Sequence, residues 1–175
     1  MTAKDRSMRA LFLSAVFLAA QSASFALAQS PDRFPAGQTY IIQLTSSQVA
    51  SGLGEYLVPP LKKAFDASGL VYHGGAGAAY AATIRPSSDV GKWFGSAPDR
   101  KWLHTRLVEI GLTPAGEDPE PPRGSPAFAV TARLVTPDAD RVDELNCLVE
   151  LAVREIAARY RARGRVTVDG AACAR

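Results

Sequence analysis

Cysteine and histidine are scarce in this 175-residue sequence, which contains two of each. The supply of metal ligands is therefore poor. His73 and His104 are separated by a predicted turn and strand, and the aspartates near them complete no recognisable ligand spacing. Cys147 and Cys173 lack the C-x-x-C spacing of a redox-active pair. These absences predict that the chain holds no metal ion and no cofactor.

The sequence also lacks the short motifs of several enzyme classes. It has no G-x-S-x-G nucleophile elbow, no S-x-x-K pair and no Gly-Lys-Ser/Thr of a phosphate-binding loop. Its glycine-rich stretch, VYHGGAGAAYAATI over residues 71–84, departs from a dinucleotide fingerprint twice. Tyr80 occupies the place of the third glycine, and a strand rather than a helix is predicted to follow. We interpret residues 73–77 as a turn in which glycines supply positive φ.

Long hydrophobic runs are confined to the N-terminus, which has the pattern of a secretory signal. A basic segment with Lys4, Arg6 and Arg9 precedes an apolar run over residues 10–20, and Ala-Leu-Ala at 26–28 suits a signal peptidase. The run has about half of the roughly 20 residues that a spanning helix needs. We predict a cleaved signal peptide at 1–28, a short extension at 29–37 and one domain at 38–175, without a stable membrane anchor after cleavage.

Excess charge of one sign is absent once this signal is removed. The signal holds three of the 20 Lys and Arg residues and one of the 17 Asp and Glu residues, so the remainder carries a net charge of about +1. General affinity for polyanions has no support, and nucleic acid is not an expected partner. The many Ala and Arg residues suggest a bacterial source, which makes the periplasm the expected location and secretion the alternative.

Export also decides how the two cysteines are interpreted, because disulfides form and persist outside the cytoplasm. A helix is predicted over residues 138–163, with Thr136 as N-cap, Pro137 at its first position and Gly164 as C-cap. A strand over 165–169 follows, and it is long enough to bring Cys173 back level with Cys147. The sequence therefore predicts a structural disulfide between Cys147 and Cys173.

The remaining periodicities predict an order of elements β-α-β-β-β-α-β. Strands are expected at 39–45, 79–85, 102–110, 128–134 and 165–169. A first helix is expected at 51–68, either kinked at Pro59-Pro60 or regular only from Pro59, with Gly69 as its cap. A proline-rich exposed loop is expected at 113–126. The fold class is α+β: a two-layer sandwich of one mainly antiparallel sheet of about five strands, with two helices on one face.

Aromatic and basic residues are concentrated in one region, which is the candidate binding surface. Such residues can stack on sugar rings and contact acidic groups. The alternative interpretation, which we favour, is that Trp93 and Trp102 form a cross-strand pair in a hairpin beside solvated cations. The candidate binding residues are Trp93, Phe94, Arg100, Lys101, Trp102, His104 and Arg106.

Together these features favour a soluble, non-catalytic binding or interaction protein of the bacterial cell envelope. Its expected partner is another envelope protein or cell-wall material. A small envelope hydrolase is the alternative, in which His104 would act with Ser87 or Ser88 and with Asp89 or Asp99. A carrier with a small-ligand pocket between helices and sheet is a third hypothesis, and oligomeric state is left open.

Overall fold

A computed structural model of the chain describes residues 32–115 and 126–174. The predicted signal peptide and most of the predicted proline-rich loop therefore lie outside the described residues. The strands are β1 (Thr39–Gln43), β2 (Val71–Tyr72), β3 (Tyr80–Ser88), β4 (Lys92–Phe94), β5 (Lys101–Pro114), β6 (Phe128–Thr136) and β7 (Gly164–Asp169). The helices are α1 (Ser46–Ala50), α2 (Gly54–Ala67) and α3 (Val142–Arg159), and a 3₁₀ turn (Ala171–Cys173) follows β7.

The strands form one sheet in the order β2-β1-β3-β5-β6-β7, and β4 pairs separately with the start of β5. This confirms the α+β class, but the described part of the sheet has more strands and a more mixed character than predicted. Strands β3, β5 and β6 are antiparallel, whereas β1 pairs in parallel with β2 and β3, and β6 with β7. A helix between two strands returns the chain to the same end of the sheet, which makes the strands parallel.

The core lies between one face of this sheet and helices α2 and α3. Strand β6 shows the predicted alternation, since Phe128, Val130, Ala132 and Leu134 are all buried. On the helix side, Leu57, Leu61 and Phe65 of α2 meet Leu148, Val149 and Ile156 of α3 in one continuous cluster. Both long helices therefore pack on a single face, as the sequence predicted.

A short helix that was not predicted, α1, precedes the first predicted helix, which is α2 in the structure. Thr45 and Gln48 form a capping box that starts α1, and Gln48 Nε2 also donates to the Ile84 carbonyl at 2.7 Å, which ties α1 to β3. Helix α2 begins at Gly54, so of the two predicted alternatives the one in which the helix is regular only from Pro59 is wrong. Both prolines lie in the second turn of α2. Because proline has no amide hydrogen, two carbonyls of the first turn receive no helical hydrogen bond. These carbonyls belong to exposed residues, so water can reach them.

Helix α3 is shorter at both ends than predicted. The Thr136 hydroxyl accepts a hydrogen bond from the Asp138 amide at 3.3 Å and closes a local turn, so α3 begins at Val142 instead of after Thr136. At its other end Tyr160 is extended and buried, which ends the helix before Gly164. Gly164 therefore begins β7, and its predicted role as a helix cap is wrong. Gly69, with φ of +93°, does follow α2 as predicted.

Candidate functional site

The candidate binding region is the hairpin formed by β4 and the first residues of β5. Trp93 lies directly opposite Trp102 in the strand register, and their ring centroids are 5.3 Å apart at an interplanar angle of 77°. This edge-to-face arrangement is the cross-strand pair that the sequence analysis favoured. The pair is not hidden, because Trp93 is 55% and Trp102 is 42% exposed.

Cations lie on the aromatic rings of this hairpin. The Arg100 guanidinium carbon is 5.4 Å from the Trp93 ring centroid, and Lys92 Nζ is 5.2 Å from that of Phe94. His104 continues the aromatic row, with its ring centroid 6.4 Å from that of Trp102. The hairpin thus presents aromatic area and positive charge together.

The predicted binding residues do not all share one face. Successive residues of a strand point to opposite faces, and cross-strand partners point to the same face. Trp93, Trp102 and His104 therefore share one face. Arg100 joins them through its contact with the Trp93 ring, and we call these four side chains the tryptophan surface. The pair Phe94 and Lys101 lies on the opposite face of the hairpin.

Arg106 also follows the face of Trp102 and His104, but it is 8% exposed. Its Nη1 donates to the Arg141 carbonyl at 2.6 Å, so the guanidinium is held at the N-terminus of α3. Burial lowers the pKa of Arg106, and the charges of Glu144, Asp140 and Asp138 oppose that shift. Glu144 is itself fully buried; its carboxylate accepts no hydrogen bond from the described residues, but its Oε1 lies 3.4 Å from Arg141 Nη1 in an ion pair. Arg106 thus connects the hairpin strand to α3.

Asp89 fixes the start of the hairpin. One oxygen of its carboxylate accepts the amide of Thr105 at 2.8 Å and that of Gly91 at 3.0 Å, and its own amide donates to the Thr105 carbonyl. These hydrogen bonds, first of all the one from Thr105, lower the pKa of Asp89 from its ordinary value of 3.8. The carboxylate is engaged with the backbone of its own hairpin.

A hydrolase of the Ser-His-Asp type would need His104 in contact with a serine and with an aspartate carboxylate. His104 Nδ1 contacts the backbone carbonyl of Asp89 at 3.3 Å, not its carboxylate. No hydrogen bond in the described structure joins His104 to Ser87, Ser88 or Asp99. In the strand register Ser88 lies opposite Arg106 and Ser87 opposite Leu107, which places the two serines on opposite faces. A Ser-His-Asp arrangement is not assembled by these contacts.

The two cysteines form the disulfide that the sequence predicted. Their Cα atoms are 5.6 Å apart, and the bond joins α3 to the 3₁₀ turn after β7. Cys173 is 2% exposed and belongs to the core cluster. The bond thus attaches the last strand to the last helix.

The other predicted features lie away from the hairpin. His73 Nε2 contacts the Ala76 carbonyl within its own turn at 3.2 Å, and Gly77 supplies the positive φ of that turn.

A shallow groove of about 480 Å³ lies at the start of α2, lined by Leu44, Val49, Gly52, Gly54, Glu55, Val58 and Pro59. In the part of the chain that the structure describes, no three His, Cys, Asp or Glu side chains converge in a way that could hold a metal ion.

None of the helices formed by the described residues combines the length and the apolar composition that a membrane-crossing helix requires. No protein-family model matches the sequence, and no curated protein matches it.

A minor lipoprotein from Acinetobacter baumannii is among the solved structures that are similar to this chain. It is 15% identical and superimposes with a TM-score of 0.42, over 70% of this chain and 94% of that chain.

Proposed function

We propose that this protein is a non-catalytic binding module of the bacterial cell envelope, exported to the periplasm, which contacts its partner through the tryptophan surface. The observation that carries this proposal is the half-exposed pair of Trp93 and Trp102, held in place by strand pairing. Large rings that stay exposed on an ordered hairpin offer contact area at a low cost in conformational entropy. Such area is typical of binding surfaces.

Cell-wall material is the partner class that this chemistry suits best. Sugar rings stack on indole faces, and acidic groups of a glycan or its peptides would meet Arg100, which already lies on the Trp93 ring. An envelope protein with an acidic and aromatic surface is the other occupant that the tryptophan surface would accept. The N-terminal signal pattern and the oxidised pair Cys147–Cys173 support a location outside the cytoplasm.

Cosedimentation with isolated cell walls, and in a separate arm capture of solubilised envelope proteins, tests the proposal. Trp93→Ala and Trp102→Ala should each weaken binding by about 1–3 kcal/mol, the usual range for one stacking aromatic. Tyr56→Ala is the matched control, because Tyr56 is 60% exposed but lies on α2. Equal binding by the wild type and both tryptophan variants would contradict the proposal.

The hydrolase and the carrier are separated from the binding module by two further measurements. His104→Ala should only partly weaken binding to the partner. It should abolish substrate hydrolysis only if the protein is an enzyme. A carrier would release a small molecule in native mass spectrometry, whereas the binding module would show the mass of the chain alone.

A further inference from the structure

Strand β7 is an edge of the sheet. It pairs with β6 on one side, and no strand lies on its other side among the described residues. Residues Arg165, Thr167 and Asp169 of this strand are exposed. An exposed edge with unpaired backbone groups is a template for another strand.

The backbone hydrogen bonds show which groups of β7 point outward. The Gly164 amide donates at 2.9 Å to the carbonyl of Ala127, the residue before β6, and the Gly170 amide donates at 2.7 Å to the carbonyl of Arg133 in β6. The backbone groups of successive residues point to alternate sides of a strand. The amides and carbonyls of the even-numbered residues of β7 therefore face β6. The amide and carbonyl groups of Arg165, Thr167 and Asp169 therefore face away from the sheet, and we call this row the β7 edge.

We propose that a second copy of this chain pairs with the β7 edge, antiparallel and centred on Thr167. This register places Arg165 of each copy opposite Asp169 of the other and Thr167 opposite Thr167. Opposite charges and two threonines are both favourable cross-strand pairs. The three outward-facing residues of each strand can then all exchange backbone hydrogen bonds.

The side chains between these positions suit the same register. Val166 and Val168 lie on the opposite face of β7 from Arg165 and are partly buried against the core. In the proposed pairing Val166 of one copy is opposite Val168 of the other, at positions without backbone hydrogen bonds, where side chains approach most closely. β-Branched residues pack well in such pairs.

Symmetric registers centred on either charged residue of β7 are less favourable. Centring the pair on Arg165 or on Asp169 brings like charges opposite each other, which is destabilising. In the isolated chain Arg165 Nη1 contacts Glu109 at 2.9 Å, and the Arg165 side chain is 54% exposed. Turning to Asp169 of the second copy gives up this contact, but Glu109, whose side chain is 19% exposed, keeps its ion pair with Arg85 at 3.5 Å. Charge complementarity therefore favours the register centred on Thr167, in which Arg165 and Asp169 of each copy both lie opposite a residue of opposite charge.

Sedimentation across a concentration series, with protein purified as the cell processes it, tests this pairing. We expect a dimer for the wild type and for Thr167→Ala, but a monomer for Thr167→Pro, which removes an outward amide that the fold does not use. Asp169→Arg and Arg165→Asp should each be monomeric alone. Mixed in equal amounts, these two variants should form a dimer, because the charges across the edge are again complementary.

A monomeric wild type at every concentration would overturn the pairing, and so would a dimer that Thr167→Pro and both charge variants leave intact. The charge variants keep the test informative if Thr167→Pro fails to fold. Hydrogen exchange provides an independent readout: the amides of Arg165, Thr167 and Asp169 should be protected in the wild type and exposed in Asp169→Arg. This test is independent of the tryptophan surface.

Discussion

Individual residues at the base of the hairpin determine how the tryptophan surface is presented. Gly91 has φ of +82°, and a Cβ atom at this position would lie 2.4 Å from Trp102 Nε1 and 2.9 Å from His104 Cε1. The absence of a side chain therefore lets Trp102 lie directly against the turn. Asp89, two residues earlier, holds the backbone of that turn through its carboxylate.

Gly91→Ala should lower the free energy of unfolding by about 1–3 kcal/mol, because it combines an unfavourable φ with a steric contact against Trp102. It should also displace the indole and weaken partner binding. Denaturant unfolding and binding assays measure the two effects. Gly75→Ala is the matched control, since nothing lies within 4 Å of its Cβ position and its φ is not positive, and it should stay within about 0.5 kcal/mol of the wild type.

The pKa of Asp89 gives a prediction about pH. Because the folded-state pKa lies below the ordinary value of 3.8, the ionised carboxylate stabilises the hairpin above that pH, and this contribution is lost as pH falls through the folded pKa. NMR titration of the Asp89 carboxyl group should give a midpoint below 3.8, with the Thr105 amide following it. A midpoint at or above 3.8 would show that the two hydrogen bonds do not form in solution.

At the scale of elements, the parts that the sequence predicted best were those governed by local periodicity. The alternation in β6, the strand at β7 and the positions of the two long helices are confirmed, since each depends on one buried face. The ends of α3 were missed because the Thr136 turn and the buried Tyr160 act against the local capping signals. Helix α1 was missed because it is one short capped turn held by the contact of Gln48 with β3.

The candidate site was predictable only in part, for the same reason. The spacing of Trp93 and Trp102 around turn-forming residues was enough to predict their pairing. Buried Arg106 donates to the distant Arg141 carbonyl and lies in the field of the Glu144 charge, and both of these residues are far from it in sequence. Local patterns carry no information about such contacts, so Arg106 was grouped with exposed cations.

The disulfide joins two elements and should contribute to the stability of both. Replacing both cysteines by alanine should lower the free energy of unfolding by about 3–4 kcal/mol, because the bond closes a loop between residues 26 apart in sequence. Denaturant unfolding measures the loss. The reduced wild type is the control for the sulfur atoms themselves, and it should show most of the same loss; an unchanged midpoint on reduction would contradict a structural role.

At the scale of the whole molecule, the features divide between different parts of the sheet. The disulfide and the helices organise the core face, β7 is an edge strand among the described strands, and the tryptophan surface lies on the hairpin that extends from the start of β5. This arrangement would allow partner binding at the hairpin and self-association at β7 to occur independently. A variant that abolishes one should leave the other intact.

Site-specific photocrosslinking in intact cells tests the central claim most directly, because it does not depend on knowing the partner. A photoreactive residue at position 90, where Val90 is 90% exposed beside the hairpin, should yield crosslinked species that Trp93→Ala/Trp102→Ala removes. The same residue at position 63 on α2, where the Lys63 side chain is 79% exposed, is the control and should yield none of these species. Equal crosslinking from both positions, or crosslinking from position 90 that survives loss of both tryptophans, would contradict the account.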